Sequence, residues 1–156
     1  TLIEDLHRLA PPYADYVWRR LHPEIQEASR TAYEGGAYHA AIVEGIKRYV
    51  AEVSRRTGIP RKNEADVING AFGKNGKLKV FGKYLNAYDF TSETADNIEV
   101  GQHDLSAGLR MAFRNPISHE ESEALQSSGA LTYEDCLDAL SILSHLMRRL
   151  DGAERR

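Results

Sequence analysis

Phe113-Arg114-Asn115-Pro116-Ile117-Ser118-His119-Glu120 brings an arginine, an amide and a histidine into eight residues. In a continuous helix, five residues of separation would turn Arg114 and His119 about 140° apart. Pro116 removes a backbone donor and biases Asn115 away from helical angles, so the helix is expected to end here and the chain to turn His119 back towards Arg114. A fixed guanidinium neutralises phosphate oxygens, and an imidazole titrating near neutrality moves protons; together they suit phosphoryl chemistry. Arginines and histidines are common enough in this chain for one such spacing to arise by chance, so the motif takes its meaning from what surrounds it.

A chain of 156 residues suits one domain with a substantial core. Its formal net charge of −3 and pI near 6.1 exclude a generally basic polyanion-binding surface, so any nucleic-acid contact must be local. Cys136 is the single cysteine, which excludes an internal disulfide framework and predicts a reducing, cytoplasmic setting, with the thiol as a small buried group. No apolar run approaches the roughly 18 residues of a membrane span, and no basic segment precedes an apolar one, so neither anchor nor signal peptide is expected. The start at Thr1 predicts a C-terminal domain cut from a longer protein, or a processed chain.

Helical periodicity dominates the elements that must position the motif. Thr1 to Ala10 reads as a short amphipathic helix stopped by Pro11-Pro12, and His22-Pro23 opens another that ends at Gly35-Gly36. From Ala37 to Arg56, the residues Tyr38, Ile42, Ile46, Tyr49 and Val53 form an apolar stripe. Glu64 to Phe72 is a shorter candidate, with Ala65, Ile68 and Phe72 on one side. Gly73 to His103 loses the pattern and predicts a long irregular insertion, with Leu78 to Phe81 extended but in no sheet. Asp104 is the expected cap of a helix carrying Leu105, Leu109, Ala112 and Phe113 to the motif. A polar loop from Glu120 to Gly129 precedes a last helix, Thr132 to Asp151, striped by Cys136, Leu140, Leu143, Met147 and Leu150. The fold class is all-α, a bundle of four main helices. Residues 1–20 form a short N-terminal helix or linker, and residues 21–156 form the domain.

Leu21-His22-Pro23-Glu24-Ile25, Gly35 to Glu44, Thr91-Ser92-Glu93-Thr94 and the Phe113 to Glu120 motif, in that order, resemble a prokaryotic family of uncharacterised proteins labelled Ymh, whose C-terminal domain belongs to the HEPN superfamily. The resemblance covers nearly all the chain from Leu21 onward. It implies a HEPN-like helical bundle, a homodimer whose Arg-Asn-x-x-x-His motifs face one cleft, and either of two functions. One is a metal-independent endoribonuclease of a toxin-antitoxin or antiphage defence system. The other is a noncatalytic dimerisation or sensor domain that binds nucleotide or a partner protein.

The nuclease reading can be built from residues. The 2′-hydroxyl of RNA is a nucleophile the substrate carries with it, so neither metal nor cofactor is required. His119 is the expected base or acid, Arg114 the phosphate ligand, and Asn115 a hydrogen-bonding group for the phosphate or for His119. One histidine cannot be base and acid at once, which is the chemical reason to expect two chains at one site. Glu44 lies opposite the Ile42 stripe and is expected to support Arg114 or a dimer contact. Lys74, Lys77, Lys79 and Lys83, interleaved with Phe81, Tyr84 and Tyr88, form a candidate RNA-binding patch. An antitoxin or defence-system protein is a further expected partner.

The same residues also have purely structural readings. Arg114 at a helix C-terminus suits the helix dipole, and His119 can cap a turn. Glu44 can pair with Arg48 on a solvated face. The loop lysines can be solvated, their aromatics folded on the bundle. Tyr16 and Trp18 read as core or interface aromatics. His119-Glu120-Glu121 lacks the second histidine of a zincin motif, and no metal site is expected.

Overall fold

His22 and Pro23 begin a helix for identifiable reasons. Proline at the first helical position gives up a donor that would be orphaned anyway, and His22 Nδ1 accepts the Glu24 amide at 3.1 Å. The remaining ring nitrogen must then carry the proton, so His22 Nε2 donates to Asp151 Oδ2 at 2.9 Å and ties this helix start to the far end of the chain.

The computed structural model describes residues 1–2, 13–82, 92–114 and 119–156. In chain order the elements are α1 (Tyr13–Arg20), α2 (Pro23–Glu34), α3 (Tyr38–Thr57), α4 (Glu64–Ala71), β1 (Leu78–Lys79) and α5 (Ser92–Leu109). The last of these runs into a π-helical turn, Arg110–Arg114, followed by α6 (His119–Ser127), α7 (Tyr133–Asp151) and β2 (Glu154–Arg155). The fold is all-α, as expected. The helix foreseen at Thr1 to Ala10 falls on residues that are mostly outside this description.

Helix α3 is the axis of the bundle. Its stripe is inside: Ile42, Ile46, Tyr49 and Val53 are buried and Tyr38 is half-buried. A Gly35-Gly36 turn, with Gly36 at φ 75°, folds α2 back against it, and buried Ser29 Oγ donates to Ala41 O at 2.8 Å. Helix α7 packs alongside through Cys136, Leu140, Leu143, Met147 and Leu150, all buried. Gly45 permits this close approach, since a Cβ there would stand 3.0 Å from Leu143 Cδ1 and 3.2 Å from Leu140 Cδ2. Thr132 and Asp135 form a reciprocal capping box at the start of α7. Burial pushes the Cys136 thiol up to about 12, so it is an inert packing group. Trp18 of α1 stacks on Tyr33 with centroids 4.6 Å apart, whereas Tyr16 is exposed.

Four sequence expectations need correction. The irregular insertion is shorter than foreseen, because α5 begins at Ser92 and Asp104 lies inside it rather than capping it. Its buried side is Glu99, Gln102, Ser106 and Leu109, at helical spacing but mostly polar, while Leu105 is 47 % exposed. Leu78–Lys79 does join a sheet, pairing antiparallel with Glu154–Arg155. Residues 119–127 are a helix, not a loop; its surface is almost wholly polar, with Ser122, Leu125 and Gln126 the half-buried positions. On α4 the buried set is Val67, Ile68, Ala71 and Phe72, and Ala65 is only half-buried.

The polar side of α5 is accommodated by a closed hydrogen-bond chain. Ser106 Oγ donates to Gln102 O at 2.6 Å, which leaves Tyr49 OH to donate to Ser106 Oγ at 2.7 Å and to accept from Gln102 Nε2 at 3.0 Å. The amide also reaches Leu146 O at 3.2 Å, joining α3, α5 and α7. Glu99 is less well served. Its Oε1 is 3.4 Å from the Phe81 amide and its Oε2 is buried without a hydrogen-bond partner among the described residues.

Burial raises the Glu99 pKa above the usual carboxyl value, against the opposing pull of backbone amides, Arg156 and Lys79. Between the unfolded and folded pKa values the folded state therefore keeps a proton that the unfolded state has released, and stability falls as pH rises through that window. Glu99→Gln should raise the melting temperature at pH 7 by about 2–4 °C, the effect of roughly 1 kcal/mol in a chain of this size. The gap should close below about pH 4, where both states of the carboxyl are protonated. Thermal melts across pH check this; a variant less stable than the parent at pH 7 contradicts it.

Candidate phosphate-binding cleft

The π-helical turn that ends α5 carries Arg110 and Arg114, four residues apart and therefore on one face. Such widened turns are rare and recur at functional sites. The last carbonyls of any helix lack partners within it, and here an imidazole supplies one: His39 Nε2 donates to Phe113 O at 2.9 Å. Buried His39 sits in the first turn of α3, and its backbone amide lies 3.4 Å from Gln126 Oε1 of α6. Gln126 Nε2 in turn donates to Gly36 O at 2.9 Å. The start of α3 thus holds both the end of the π turn and α6.

Arg110 and Arg114 open onto a cleft of about 560 Å³ lined also by Lys47 and Val50 of α3, Arg61, Lys62 and Asn63 of the following turn, and Glu64. Five cations face one carboxylate. Asn63 caps α4, its Oδ1 accepting the Ala65 amide at 2.9 Å, so the N-terminal end of that helix forms part of the cleft wall. Glu64 Oε1 stands 3.0 Å from Arg114 Nε, yet that N–H is not directed at the oxygen, so the contact is an ion pair without a hydrogen bond. Arg110 Nε is buried with no hydrogen-bond partner among the described residues. The cleft is thus lined by guanidinium groups, whose charge-assisted hydrogen bonds suit an anion.

Of the residues singled out by sequence, Arg114 lines this cleft. Arg114 closes the π turn and His119 opens α6; the expected turn at Asn115-Pro116 and the His119 side chain lie outside the described residues. Glu44 does not hold Arg114. It pairs with Lys47 at 3.0 Å, and Arg48, the alternative partner, binds Glu24 at 2.7 Å. Glu44 thus touches the cleft through a lining lysine.

Lys74, Lys77 and Lys79 do not line the cleft: Lys74 lies 3.8 Å from Asp96, the Lys77 carbonyl accepts the Arg156 amide, and Lys79 pairs with Glu154 in the small sheet. Lys83, Tyr84 and Tyr88 lie outside the described residues. Phe81 is buried, with the Arg149 guanidinium 5.0 Å from its ring centre.

Sequence reasoning missed Arg110, Arg61, Lys62, Lys47, Glu64 and His39. Signals for three of them were present: Arg110 is one helical step from Arg114, and Arg61-Lys62 directly precedes the Asn63 cap. Among the described residues no three His, Cys, Asp or Glu converge as a metal site would, and no helix is long and apolar enough to cross a membrane.

Fold and cleft together define an all-α protein with a local cluster of cations in an otherwise acidic chain. The family model described as "Protein of unknown function (Hypoth_ymh)" matches residues 19–150, and the chain belongs to that family. No curated protein and no solved structure matches it.

His39→Ala removes the donor to Phe113 O. It should lower stability by about 1–2 kcal/mol, the usual cost of leaving a half-buried carbonyl unpaired. That is a fall of roughly 2–8 °C in melting temperature. Calorimetry of the two proteins checks this, and an unchanged melting temperature would show that His39 does not hold the π turn.

Proposed function

We propose that this chain is a metal-independent endoribonuclease of the HEPN type, acting in toxin-antitoxin or antiphage defence under control of a partner protein. The observation that carries the reading is the cleft, where Arg114 is one of five cations around a single carboxylate. The resemblance of the Phe113 to Glu120 motif to HEPN proteins supports it independently.

In this reading Arg114 binds the scissile phosphodiester and offsets charge growing on its nonbridging oxygens. A base, His119, takes the 2′-hydroxyl proton; the 2′-oxygen attacks phosphorus; and the 5′-oxygen leaves with a proton supplied by an acid. Products are a 2′,3′-cyclic phosphate and a 5′-hydroxyl. The second histidine comes from a second copy of the chain, its motif facing the same cleft, and Asn115 orients either the phosphate or His119. A nuclease site of this kind uses Glu64 as a resident anion that the incoming phosphate replaces on Arg114.

A second reading, a noncatalytic site for a nucleotide, is favoured by one feature. Arg114 is already paired with Glu64, so the resting cleft is organised to bind and release an anion whether or not chemistry follows.

Purified protein incubated with mixed-sequence RNA in EDTA should cut it and leave 2′,3′-cyclic phosphate ends. Arg114→Ala and His119→Ala should each reduce the rate by at least about 100-fold. Both should retain the parent melting temperature within a few degrees. Substrates with a 2′-O-methyl at the scissile position should resist, and sedimentation at micromolar concentration should give twice the chain mass. Products with 5′-phosphate ends, or cleavage by a folded double mutant, would refute the assignment; tight nucleotide binding without cleavage would support the second reading.

A further inference from the structure

The charges lining the cleft do not balance against one phosphate. Lys47 is paired with Glu44 and Arg114 with Glu64, each at 3.0 Å. Arg61, Lys62 and Arg110 have no ion-pair partner among the described residues, and Arg110 Nε is buried without a hydrogen bond. Arg110 and Arg114 also put like charges four residues apart on one face, which is unfavourable in isolation. A phosphodiester carries one negative charge, enough to take over Arg114 from Glu64. The displaced Glu64 can then offset one of the other three cations, and two remain uncompensated.

We propose that the cleft binds at least two consecutive phosphates of a single RNA strand: Arg114 takes the phosphate at which the proposed reaction occurs, and Arg110, Arg61 and Lys62 take its neighbour. This rests on the nuclease reading for the identity of the strand, but the residue set follows from the cleft. Its volume of about 560 Å³ is that of a small-ligand site, room for a short stretch of one backbone. The exposed Arg61-Lys62 pair sits on the turn before α4, where a backbone can pass without disturbing the core. These three side chains are binding residues, and the substrate they select is an oligonucleotide in preference to a dinucleotide.

The chemistry recognised is a run of phosphate groups, which an oligonucleotide backbone and a nucleoside triphosphate both present. Binding of a fluorescent, fully 2′-O-methylated RNA hexamer, measured by anisotropy between 50 and about 300 mM salt, separates them. For two neutralised phosphates, the wild-type slope of log K against log salt should be about −1.4, from roughly 0.7 per phosphate on a single strand. The Arg110→Ala/Arg61→Ala/Lys62→Ala triple variant should flatten it by about 0.7, the share of the second phosphate, and Arg110→Ala or the Arg61→Ala/Lys62→Ala double variant each by part of that. Affinity in low salt should fall about fivefold or more per contact.

ATP and inorganic triphosphate should compete weakly, and a 2′-O-methylated dinucleotide should bind with a slope near −0.7 that Arg61→Ala/Lys62→Ala does not change. Unchanged hexamer slopes in folded variants would overturn the proposal, as would ATP competing as tightly as the hexamer. The outcome is separable from the nuclease reading: altered slopes with no RNA cleavage leave the two-phosphate site standing, and cleavage with unaltered slopes removes it.

Discussion

The cleft depends on holding Arg114 half-buried while its charge remains compensated. A guanidinium in that position needs a counter-ion, and the structure provides one carboxylate, Glu64 Oε1, at 3.0 Å. Glu64 is itself well placed because it occupies the first turn of α4, where an acidic side chain is favoured by the helix dipole. The pair therefore links α5 to α4 while leaving the Arg114 Nε–H undirected. Replacement of Glu64 by a phosphate exchanges one anion for another, so binding does not have to create a charged site from a neutral one.

Two supports keep this arrangement in place, and both are polar. His39 joins the end of the π turn to the axial helix by accepting the role of partner to the Phe113 carbonyl. The Tyr49, Ser106 and Gln102 chain fixes the rest of α5 against α3 and α7, and burial raises the Tyr49 pKa so that the phenol stays a neutral donor. Elsewhere charge is handled on the surface. Glu52 is held down to about 2 chiefly by hydrogen bonds from Arg55 and Arg56, so its contribution is present above the ordinary carboxyl pKa and is lost as pH falls towards 2.

How much of this was legible in the sequence follows from the chemistry of each element. Helices α3 and α7 were plain because their buried faces are mainly aliphatic, and α2 because proline and glycine mark its ends. The first twelve residues of α5 were not, because the side facing the core presents Glu99 and Gln102, and a hydrophobic period cannot register a polar buried face. Helix α6 was hidden for the opposite reason, having almost no buried face at all. At the site, Arg114 stood out through its proline-broken motif. Its companions are dispersed over α3, the turn before α4 and the π turn, and only folding gathers them. The lysine cluster from Lys74 to Lys83 was more conspicuous in sequence than Arg61-Lys62, yet the three described lysines lie away from the cleft lining, because local density of charge does not specify where a turn will carry it.

This cleft is the proposed place where an RNA phosphate meets Arg114. The most direct test is a crystal structure of the protein with a short RNA carrying 2′-O-methyl groups throughout, which blocks the proposed nucleophile without removing the phosphates. The account predicts phosphate oxygens within about 2.7–3.2 Å of the Arg114 and Arg110 guanidinium groups. Glu64 should be displaced from Arg114, and Arg61 and Lys62 should contact the next phosphate. A strand bound instead along Lys74, Lys77 and Lys79, with the Glu64–Arg114 pair intact, would contradict it.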